Sequence, residues 1–278
     1  MRHLLTAFAF AASLYAAGVD GIAIHSTVTG AGPKTVIFVH GWTCNETTWI
    51  EQVPALAAQY RVVTLDLPGH GKSGAPKDGK LSMDLFARAI EAVRAEVKAD
   101  RVTLVGHSMG TPVVVQYARL YPEHTAALVF VDGLVSMNVG RGKPDRSQWL
   151  GEDGRKNREK MVQGMFTAAT TPELRAKIQA MMLGAPESTA AGAMEAMFDP
   201  AIWKSDTISL PILGLYAEKS SLRNDVYMKD HLPHMEYHEI PGTGHFLMLE
   251  KPAEFNRLLL EFLSRVAFES AGESKPVR

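Results

Sequence analysis

The sequence predicts an α/β domain in which a mainly parallel sheet is flanked by helices and carries a helical insertion. Short runs rich in β-branched residues alternate with segments of helical periodicity. Several of these runs are apolar throughout, as expected for strands that helices cover on both faces. Between residues 134 and 209 only helical patterns occur, and a strand pattern then resumes. The alternation therefore predicts parallel strands joined by right-handed crossovers, with one long insertion.

The predicted elements divide the chain into a core and a cap. Strands are predicted at residues 21–29, 35–40, 61–66, 101–106, 126–132, 211–216 and 236–240, and helices at 82–98, 109–121 and 252–266. Ser82 is a suitable N-cap for the first helix. We expect the core to comprise residues 19–133 and 210–268, and the cap residues 134–209. The cap is rich in methionine, which favours either a surface that fits an apolar ligand or ordinary packing inside a helical subdomain.

The two ends of the chain are predicted to lie outside this domain. Arg2 precedes an apolar run over residues 4–17, which is short for a membrane span and ends in the small residues Ala16-Ala17-Gly18. This pattern predicts a secretory signal peptide over residues 1–18, cleaved near Gly18, and hence a secreted or periplasmic protein. An uncleaved anchor or an amphipathic leader is the alternative. Residues 269–278 are predicted to be a disordered tail.

The composition excludes several classes of function. Hydrophobic residues make up 46% of the chain and charged residues 21%, which is typical of a globular protein. The formal charge is −1, from 29 basic and 30 acidic side chains, so the sequence argues against nucleic acid as a partner and offers no polybasic membrane anchor. Cys44 is the single cysteine, so it cannot form an intramolecular disulfide, and no cysteine and histidine spacing suggests structural zinc.

The segment Gly106-His107-Ser108-Met109-Gly110 predicts a nucleophilic serine. It connects a predicted strand directly to a predicted helix. A GxSxG sequence in that context forms a sharp, strained turn that exposes the serine Oγ, and its glycines avoid Cβ atoms that would clash there. Ser108 is therefore the candidate nucleophile, although a serine here can also serve as a helix N-cap.

A serine hydroxyl needs a base, and His245 is the candidate. It lies in Gly242-Thr243-Gly244-His245-Phe246, directly after a predicted strand, where two glycines let the loop return over the sheet edge. A role in capping the turn is the alternative. His107 is expected to pack beneath the nucleophile turn, and His70, which lies between two glycines, to bond to backbone.

Four segments, in this order, resemble the α/β-hydrolase fold superfamily: Val39-His40-Gly41-Trp42, residues 66–74, Gly106-His107-Ser108-Met109-Gly110 and Gly244-His245-Phe246. The resemblance covers residues 20–133 and 210–266 and implies a roughly eight-stranded sheet. It also implies an oxyanion hole formed by the backbone N–H groups of Trp42 and Met109, with His40 bracing the loop that carries Trp42.

The acid of the expected triad departs from the pattern of this superfamily. The resemblance implies an acid after the strand at 211–216, about three residues past a strand-ending glycine, and aligning Ala217 with that glycine puts Ser220 at the acid position. Asp132, at the end of the strand at 126–132, is the favoured replacement, because some members carry the acid at that strand end. Glu218 is the principal alternative, Asp225 is a weaker one, and the absence of any triad acid stays open.

The nucleophile indicates acyl transfer. The dehalogenases and epoxide hydrolases of the superfamily use an aspartate where this chain has Ser108, so those reactions are disfavoured. We expect a serine hydrolase of the carboxylesterase type that acts on a small or medium ester, without metal or organic cofactor. Lactonase, carbon–carbon bond hydrolase, perhydrolase and acyltransferase activities remain alternatives, as does a ligand-binding protein without turnover. Cys44 is expected to be a small buried residue at the pocket floor.

Overall fold

The structure, a computed structural model, describes residues 12–137 and 145–268. They contain an eight-stranded sheet in the order β1-β2-β4-β3-β5-β6-β7-β8, in which β1 and β2 are antiparallel to their neighbours and β3 to β8 run parallel. This confirms the predicted fold class. The strands are β1 (Ala12–Val19), β2 (Ile22–Thr29), β3 (Thr35–Val39), β4 (Arg61–Leu65), β5 (Val102–His107), β6 (Thr125–Val131), β7 (Ile212–Ala217) and β8 (Met235–Ile240).

Burial follows the position of each strand in the sheet. Every residue of β3, β5, β6 and β7 is buried, because helices cover both faces of the central strands. In β2, buried residues alternate with exposed or half-buried ones, as expected nearer the sheet edge. The rigid centre of the sheet thus carries the loops that follow β3, β5, β6 and β7.

The helices of the core pack on this sheet. Helix α2 contacts α3 and β1, whereas α9 contacts α1 and β7. The side chain of Ser82 accepts a hydrogen bond from the Leu85 amide, so it caps α2 as predicted. The core helices are α1 (Val53–Leu56), α2 (Met83–Glu96), α3 (Gly110–Leu120), α7 (Asp225–His231), α8 (Leu247–Glu250) and α9 (Pro252–Arg265), and two 3₁₀ turns lie at Glu46–Trp49 and Pro122–His124.

Strand β1 occupies part of the segment predicted as a leader. It forms a hairpin with β2, and the turn residues Asp20 and Gly21 both have positive φ, at 51° and 76°. An Asp-Gly pair favours this type of tight hairpin, a signal that the hydropathy of residues 4–17 obscured. Within the described residues, the sheet therefore includes Ala12–Val19, which the sequence assigned mostly to the leader. Cleavage near Gly18 stays a prediction, and residues 1–11 and 269–278 lie outside the described residues.

The described part of the segment between β6 and β7 contains helices joined by loops, and no strand. It contains α4 (Gly151–Gly164), α5 (Pro172–Leu183) and α6 (Glu187–Met197), with 3₁₀ turns at Arg146–Trp149 and Pro200–Ile202. We call residues 145–209 the cap, and residues 138–144 of the predicted insertion lie outside the described residues. Among the described helices, none combines the length and apolarity that crossing a bilayer requires.

Candidate active site

The carboxyl edge of the sheet brings the predicted site residues together. Trp42 follows β3, Ser108 follows β5, Asp132 follows β6 and His245 lies in the loop after β8. In an open α/β sheet, ligands bind in the crevice outside the carboxyl ends of the strands. Side chains of all four residues line one cavity at this edge.

Ser108 lies on a strained turn between β5 and α3. Its φ is +54°, a left-handed conformation that is unfavourable for a residue with a side chain. The Ser108 amide donates to the carbonyl of Val131, at 2.9 Å, which ties the turn to β6. A Cβ at Gly110 would lie 2.5 Å from the Val39 carbonyl oxygen, and one at Gly106 would meet the backbone of Gly110. Both glycines are therefore required for the close passage of strand and helix.

His245 contacts the carboxylate of Asp132. Its Nδ1 lies 2.7 Å from Asp132 Oδ2, and both side chains are nearly buried, with 10% and 5% exposed. A carboxylate at Nδ1 holds the proton on that nitrogen and leaves Nε2 as a base. Like Ser108, Asp132 has a positive φ, of 41°. The structure thus presents Asp132 to the imidazole at a strained strand end.

Several polar groups stabilise Asp132 as a carboxylate. Burial raises the pKa of Asp132, but the hydrogen bond and charge of His245, together with hydrogen bonds from Ser220 and the Ala217 amide, lower this pKa below its ordinary value. The Ala217 amide donates to Oδ1 at 3.1 Å. Ser220 occupies the position where the resemblance implied an acid, and here its hydroxyl contacts the acid of the neighbouring strand end.

The two alternative acids have other contacts. The Glu218 Oε2 accepts a hydrogen bond from the Gly242 amide at 2.8 Å, within the loop that leads to His245. Asp225 is the first residue of α7 and forms an ion pair with Arg223 at 3.1 Å. Of the three candidates, the structure therefore brings Asp132 to the His245 ring.

The loop after β3 packs directly against the nucleophile turn. A Cβ at Gly41 would lie 3.0 Å from the Ser108 Cβ, so only glycine fits without displacing a neighbour. His40 accepts a hydrogen bond from the Leu67 amide at Nε2 and therefore donates from Nδ1 to the Gly41 carbonyl, at 2.8 Å. Burial lowers the pKa of His40 to about 4, so the ring is neutral and keeps this arrangement at ordinary pH. Trp42 follows Gly41 in this rigid loop.

Met109 and the Trp42 side chain complete this side of the site. Met109 is fully buried and immediately precedes α3, so its N–H belongs to the N-terminus of that helix. The Trp42 indole N–H donates to the Ala190 carbonyl at 2.8 Å, and its ring contacts Trp149 edge to face. The Trp42 side chain therefore anchors the loop to the cap.

His107 links the nucleophile turn to the loop of residues 241–246 that carries His245, which we call the histidine loop. Its Nε2 lies 2.9 Å from the His245 carbonyl oxygen, which requires a proton on Nε2. Its ring is buried and lies 4.7 Å from the His245 ring, centroid to centroid. Burial lowers the pKa of His107 to about 3, so it stays neutral beside the base. Packing beneath the turn was predicted for His107, but the hydrogen bond to the histidine loop was not.

The cavity has a volume of about 1020 Å³ and is lined by core and cap residues. Met161, Met165, Met194 and Met197 face it, whereas Met182 is buried within the cap. The cap methionines therefore divide between the two roles that the sequence left open. Polar and charged side chains, among them Lys160, Lys219 and Glu218, also contribute to the wall.

One cluster of described residues has the spacing of metal ligands. Ligand atoms of His25, Glu46 and Asp66 all lie within 4.8 Å of one another. The Lys72 ammonium lies 3.0 Å from Glu46 Oε1, and the Thr27 hydroxyl donates to Oε2. Both Asp66 oxygens accept backbone amides, from Glu46 and Lys72. Because its oxygens are already bonded and a cation is supplied by lysine, this cluster fits a structural network.

Cys44 is buried and is not among the described residues that line the cavity. Burial raises the pKa of the Cys44 thiol to about 12, which keeps it protonated and a poor nucleophile. The structure thus corrects its predicted place at the pocket floor, while its small, buried character is as expected.

Comparison with known proteins identifies the family. A model of the alpha/beta hydrolase fold matches residues 34–182, more than half of the chain. The chain belongs to the α/β hydrolase fold family. This matches the resemblance noted from the sequence motifs, and it supports an enzyme that catalyses hydrolysis.

Individual relatives differ in the bond they cleave. The chain is 26% identical to a 2-hydroxy-6-oxononadienedioate/2-hydroxy-6-oxononatrienedioate hydrolase of Paraburkholderia phymatum, over 95% of this chain and 100% of that protein. It is 24% identical to bifunctional epoxide hydrolase 2 of Sus scrofa, over 92% of this chain and 56% of that protein. Among solved structures it resembles Est816, described as an N-acyl homoserine lactone degrading enzyme, with a TM-score of 0.77, 25% identity, and coverage of 89% and 100%.

Proposed function

We propose that this α/β hydrolase is a serine esterase that works through an acyl-enzyme on Ser108. The observation that carries the proposal is the Asp132–His245 contact of 2.7 Å, which lies in the same cavity as Ser108 on its strained turn. With Nδ1 bonded to Asp132, the His245 Nε2 is the ring nitrogen free to take the hydroxyl proton. An aspartate nucleophile, which alkyl-enzyme chemistry needs, is replaced here by serine.

Acylation uses each part of the site once. The Ser108 Oγ attacks the carbonyl carbon of the ester while its proton passes to His245 Nε2. Negative charge develops on the carbonyl oxygen, and we assign the backbone N–H groups of Trp42 and Met109 to stabilise it, each contributing a factor of about 10²–10³ to turnover. His245 then gives the proton to the leaving alcohol as the tetrahedral intermediate collapses, and the acyl group remains on Ser108.

Deacylation repeats these steps with water. His245 takes a proton from a water molecule, the hydroxyl attacks the acyl carbonyl, and the Ser108 oxygen leaves with the proton from His245. Asp132 stays ionised throughout, consistent with its lowered pKa, and stabilises the imidazolium that forms in each half-reaction. Neither step needs a metal or an organic cofactor.

The cavity favours an apolar acyl group of small or medium size. Met161, Met165, Met194 and Met197 form an adaptable apolar wall opposite the carboxyl ends of the strands. A volume of about 1020 Å³ is ample for a medium acyl chain together with its alcohol.

The test is a series of p-nitrophenyl esters with acetate, butyrate, octanoate and palmitate acyl groups. We expect kcat/KM to peak at butyrate or octanoate, and Ser108→Ala to lower kcat about 10⁴-fold or more. Ser264→Ala, at the far end of α9, is the matched control and should keep wild-type activity. Wild-type kinetics in Ser108→Ala would overturn the proposal.

Two other reactions are supported by named relatives. Similarity to the Paraburkholderia phymatum enzyme favours hydrolysis of a carbon–carbon bond, and similarity to Est816 favours opening of a lactone, itself a cyclic ester. A vinylogous 1,5-diketone and a γ-butyrolactone bearing an N-acyl chain separate these candidates. Turnover of the diketone at a higher kcat/KM than any ester in the series would replace esterase with carbon–carbon hydrolase activity.

We also propose that the protein is exported, with residues 1–18 as the leader. Support comes from Arg2, the apolar run at 4–17 and the small residues before the cleavage point. Cleavage after Gly18 would remove most of β1 and leave β2 at the sheet edge. N-terminal sequencing of protein expressed in a bacterium with the full leader should begin at Val19 or within a residue or two of it. An intact residue 1 on the folded protein would contradict export by this route.

A further inference from the structure

Glu250 joins the histidine loop to the cap. It ends α8 (Leu247–Glu250), five residues after His245. One carboxylate oxygen, Oε2, accepts the Gly244 amide at 2.5 Å, and the other, Oε1, accepts the Thr170 hydroxyl, also at 2.5 Å. Hydrogen bonds to a charged acceptor are about twice as strong as neutral ones, so this carboxylate is a strong link between the two segments.

The cap side of this link is itself well ordered. Residues 167–170, which we call the cap corner, form a turn between α4 and α5 in which the Thr167 amide donates to the Thr170 hydroxyl oxygen at 3.1 Å. Arg175 donates to the carbonyls of Thr170, at 2.8 Å, and Thr167, at 2.5 Å. Thr170 is 2% exposed. The hydroxyl that reaches Glu250 is therefore held in place by its own turn.

The cap corner also packs against the histidine loop. A Cβ at Gly244 would lie 2.8 Å from the Thr167 Cγ2, so the loop backbone and the cap corner are in van der Waals contact. Thr167 lines the cavity together with Gly244 and His245. Where the loop leaves His245, the carbonyl of that residue is held by His107 from the core side. Two core residues, His107 and Glu250, thus hold the loop by hydrogen bonds on either side of the base, and the cap reaches the loop through the bond of Thr170 to Glu250 and the packing of Thr167 on Gly244.

We propose that Glu250 is a positioning residue through which the docking of the cap sets the position of His245. The carboxylate holds the histidine loop correctly only when the cap corner supplies its second hydrogen bond. The proposal rests on the proposed function in one respect, the role of His245 as the base. Glu250 touches neither substrate nor reacting atoms and acts through the loop that it holds.

Activity measurements separate this role from a loosened cap. Because the cap lines the cavity, a merely loosened cap raises KM, whereas a displaced imidazole lowers kcat and the rate at which a fluorophosphonate labels Ser108. We expect Glu250→Ala to lower both rates about 10-fold and Thr170→Val about 3-fold, with KM changed less than twofold, since small misplacements of a catalytic group cost rate. Thr170→Ser keeps the hydroxyl and should restore the wild-type rates.

A double variant tests whether the two residues act through one link. Thr170→Val also removes the acceptor of the Thr167 amide, but that bond lies within the cap corner. Its hydrogen bond to Glu250 is already absent in the Glu250→Ala background, so we expect no further effect on either rate there. Glu123→Gln, which removes a carboxylate charge next to the opposite end of β6, is the control and should leave both rates unchanged. Additive effects, or effects on KM alone, would overturn the proposal.

Hydrogen exchange provides a readout that does not depend on turnover. In Thr170→Val, peptides covering the cap corner and residues 242–247 should both exchange faster, although the substitution lies in the cap alone. Faster exchange confined to the cap corner would overturn the coupling. Failure of the proposed function would give a different result. Ser108 of the wild-type protein would then be neither labelled nor needed for turnover, while Thr170→Val would still speed hydrogen exchange in both segments.

Discussion

Replacing Asp132 with asparagine should nearly abolish turnover without unfolding the protein. The Asp132 Oδ2 lies 2.7 Å from His245 Nδ1, and its side chain is only 5% exposed, so water cannot take its place. An asparagine amide facing Nδ1 would donate a proton there, which places the ring proton on Nε2 and removes the base. The loss of the correct tautomer and of the carboxylate charge should lower kcat about 10²–10⁴-fold. The asparagine oxygen can still accept the Ala217 amide, so the strand end should keep its structure.

The assay is steady-state hydrolysis of p-nitrophenyl butyrate, with circular dichroism to verify folding. Glu218→Gln is the matched control, because it makes the same chemical change in the alternative acid. The Glu218 carboxylate accepts a hydrogen bond from the Gly242 amide, and a glutamine side-chain oxygen can accept the same bond. We therefore expect Glu218→Gln to lower kcat less than threefold. The reverse ranking of the two variants would refute the role of Asp132.

Two further predictions concern the packing and the titration of the site. Gly41→Ala places a Cβ 3.0 Å from that of Ser108 and 3.2 Å from the His107 Nδ1. We therefore expect kcat/KM to fall about 10-fold or more and urea unfolding to show a destabilisation of about 1–3 kcal/mol. Unchanged kinetics would contradict this packing. Burial lowers the pKa of His70 and His107 to about 3 in the folded protein, whereas both protonate near pH 6.5 when unfolded. The free energy of unfolding should therefore fall as the pH drops from 6.5 towards 3, by up to about 1.4 kcal/mol per pH unit for each ring. In His107→Gln, a plot of the free energy of unfolding against pH should have a shallower slope between pH 7 and pH 5. The same slope in the variant and the wild-type protein would exclude a neutral, buried His107.

The motifs that could be read from the sequence are those with local geometry. The GxSxG segment predicts a strained turn because only glycine tolerates the close approach of backbone on both sides, and Ser108 has the positive φ that such a turn demands. The strand and helix periods likewise predict most elements to within a residue or two. These turn and periodicity patterns depend only on residues that are neighbours in the chain, so a single sequence is enough to detect them.

The sequence could not predict contacts between residues that are far apart in the chain. Asp132 and Glu218 both follow strands at the same sheet edge, and only the fold shows that one contacts His245 and the other the Gly242 amide. The run that contains β1 suits a leader as well as an edge strand; the structure pairs it with β2, and its cleavage as a leader stays a prediction. Glu250 was missed because its partner Thr170 lies 80 residues away, in the cap.

The activated state of Ser108 is tested most directly by reaction with a fluorophosphonate, followed by intact mass and peptide mapping. We predict one adduct per chain, on Ser108, that is absent from Ser108→Ala and forms far more slowly in His245→Ala, because the hydroxyl reacts only when the imidazole takes its proton. A folded protein that remains unlabelled, or that is labelled at another residue, would contradict a serine nucleophile at this site and leave the cavity as a binding site without acyl-transfer chemistry.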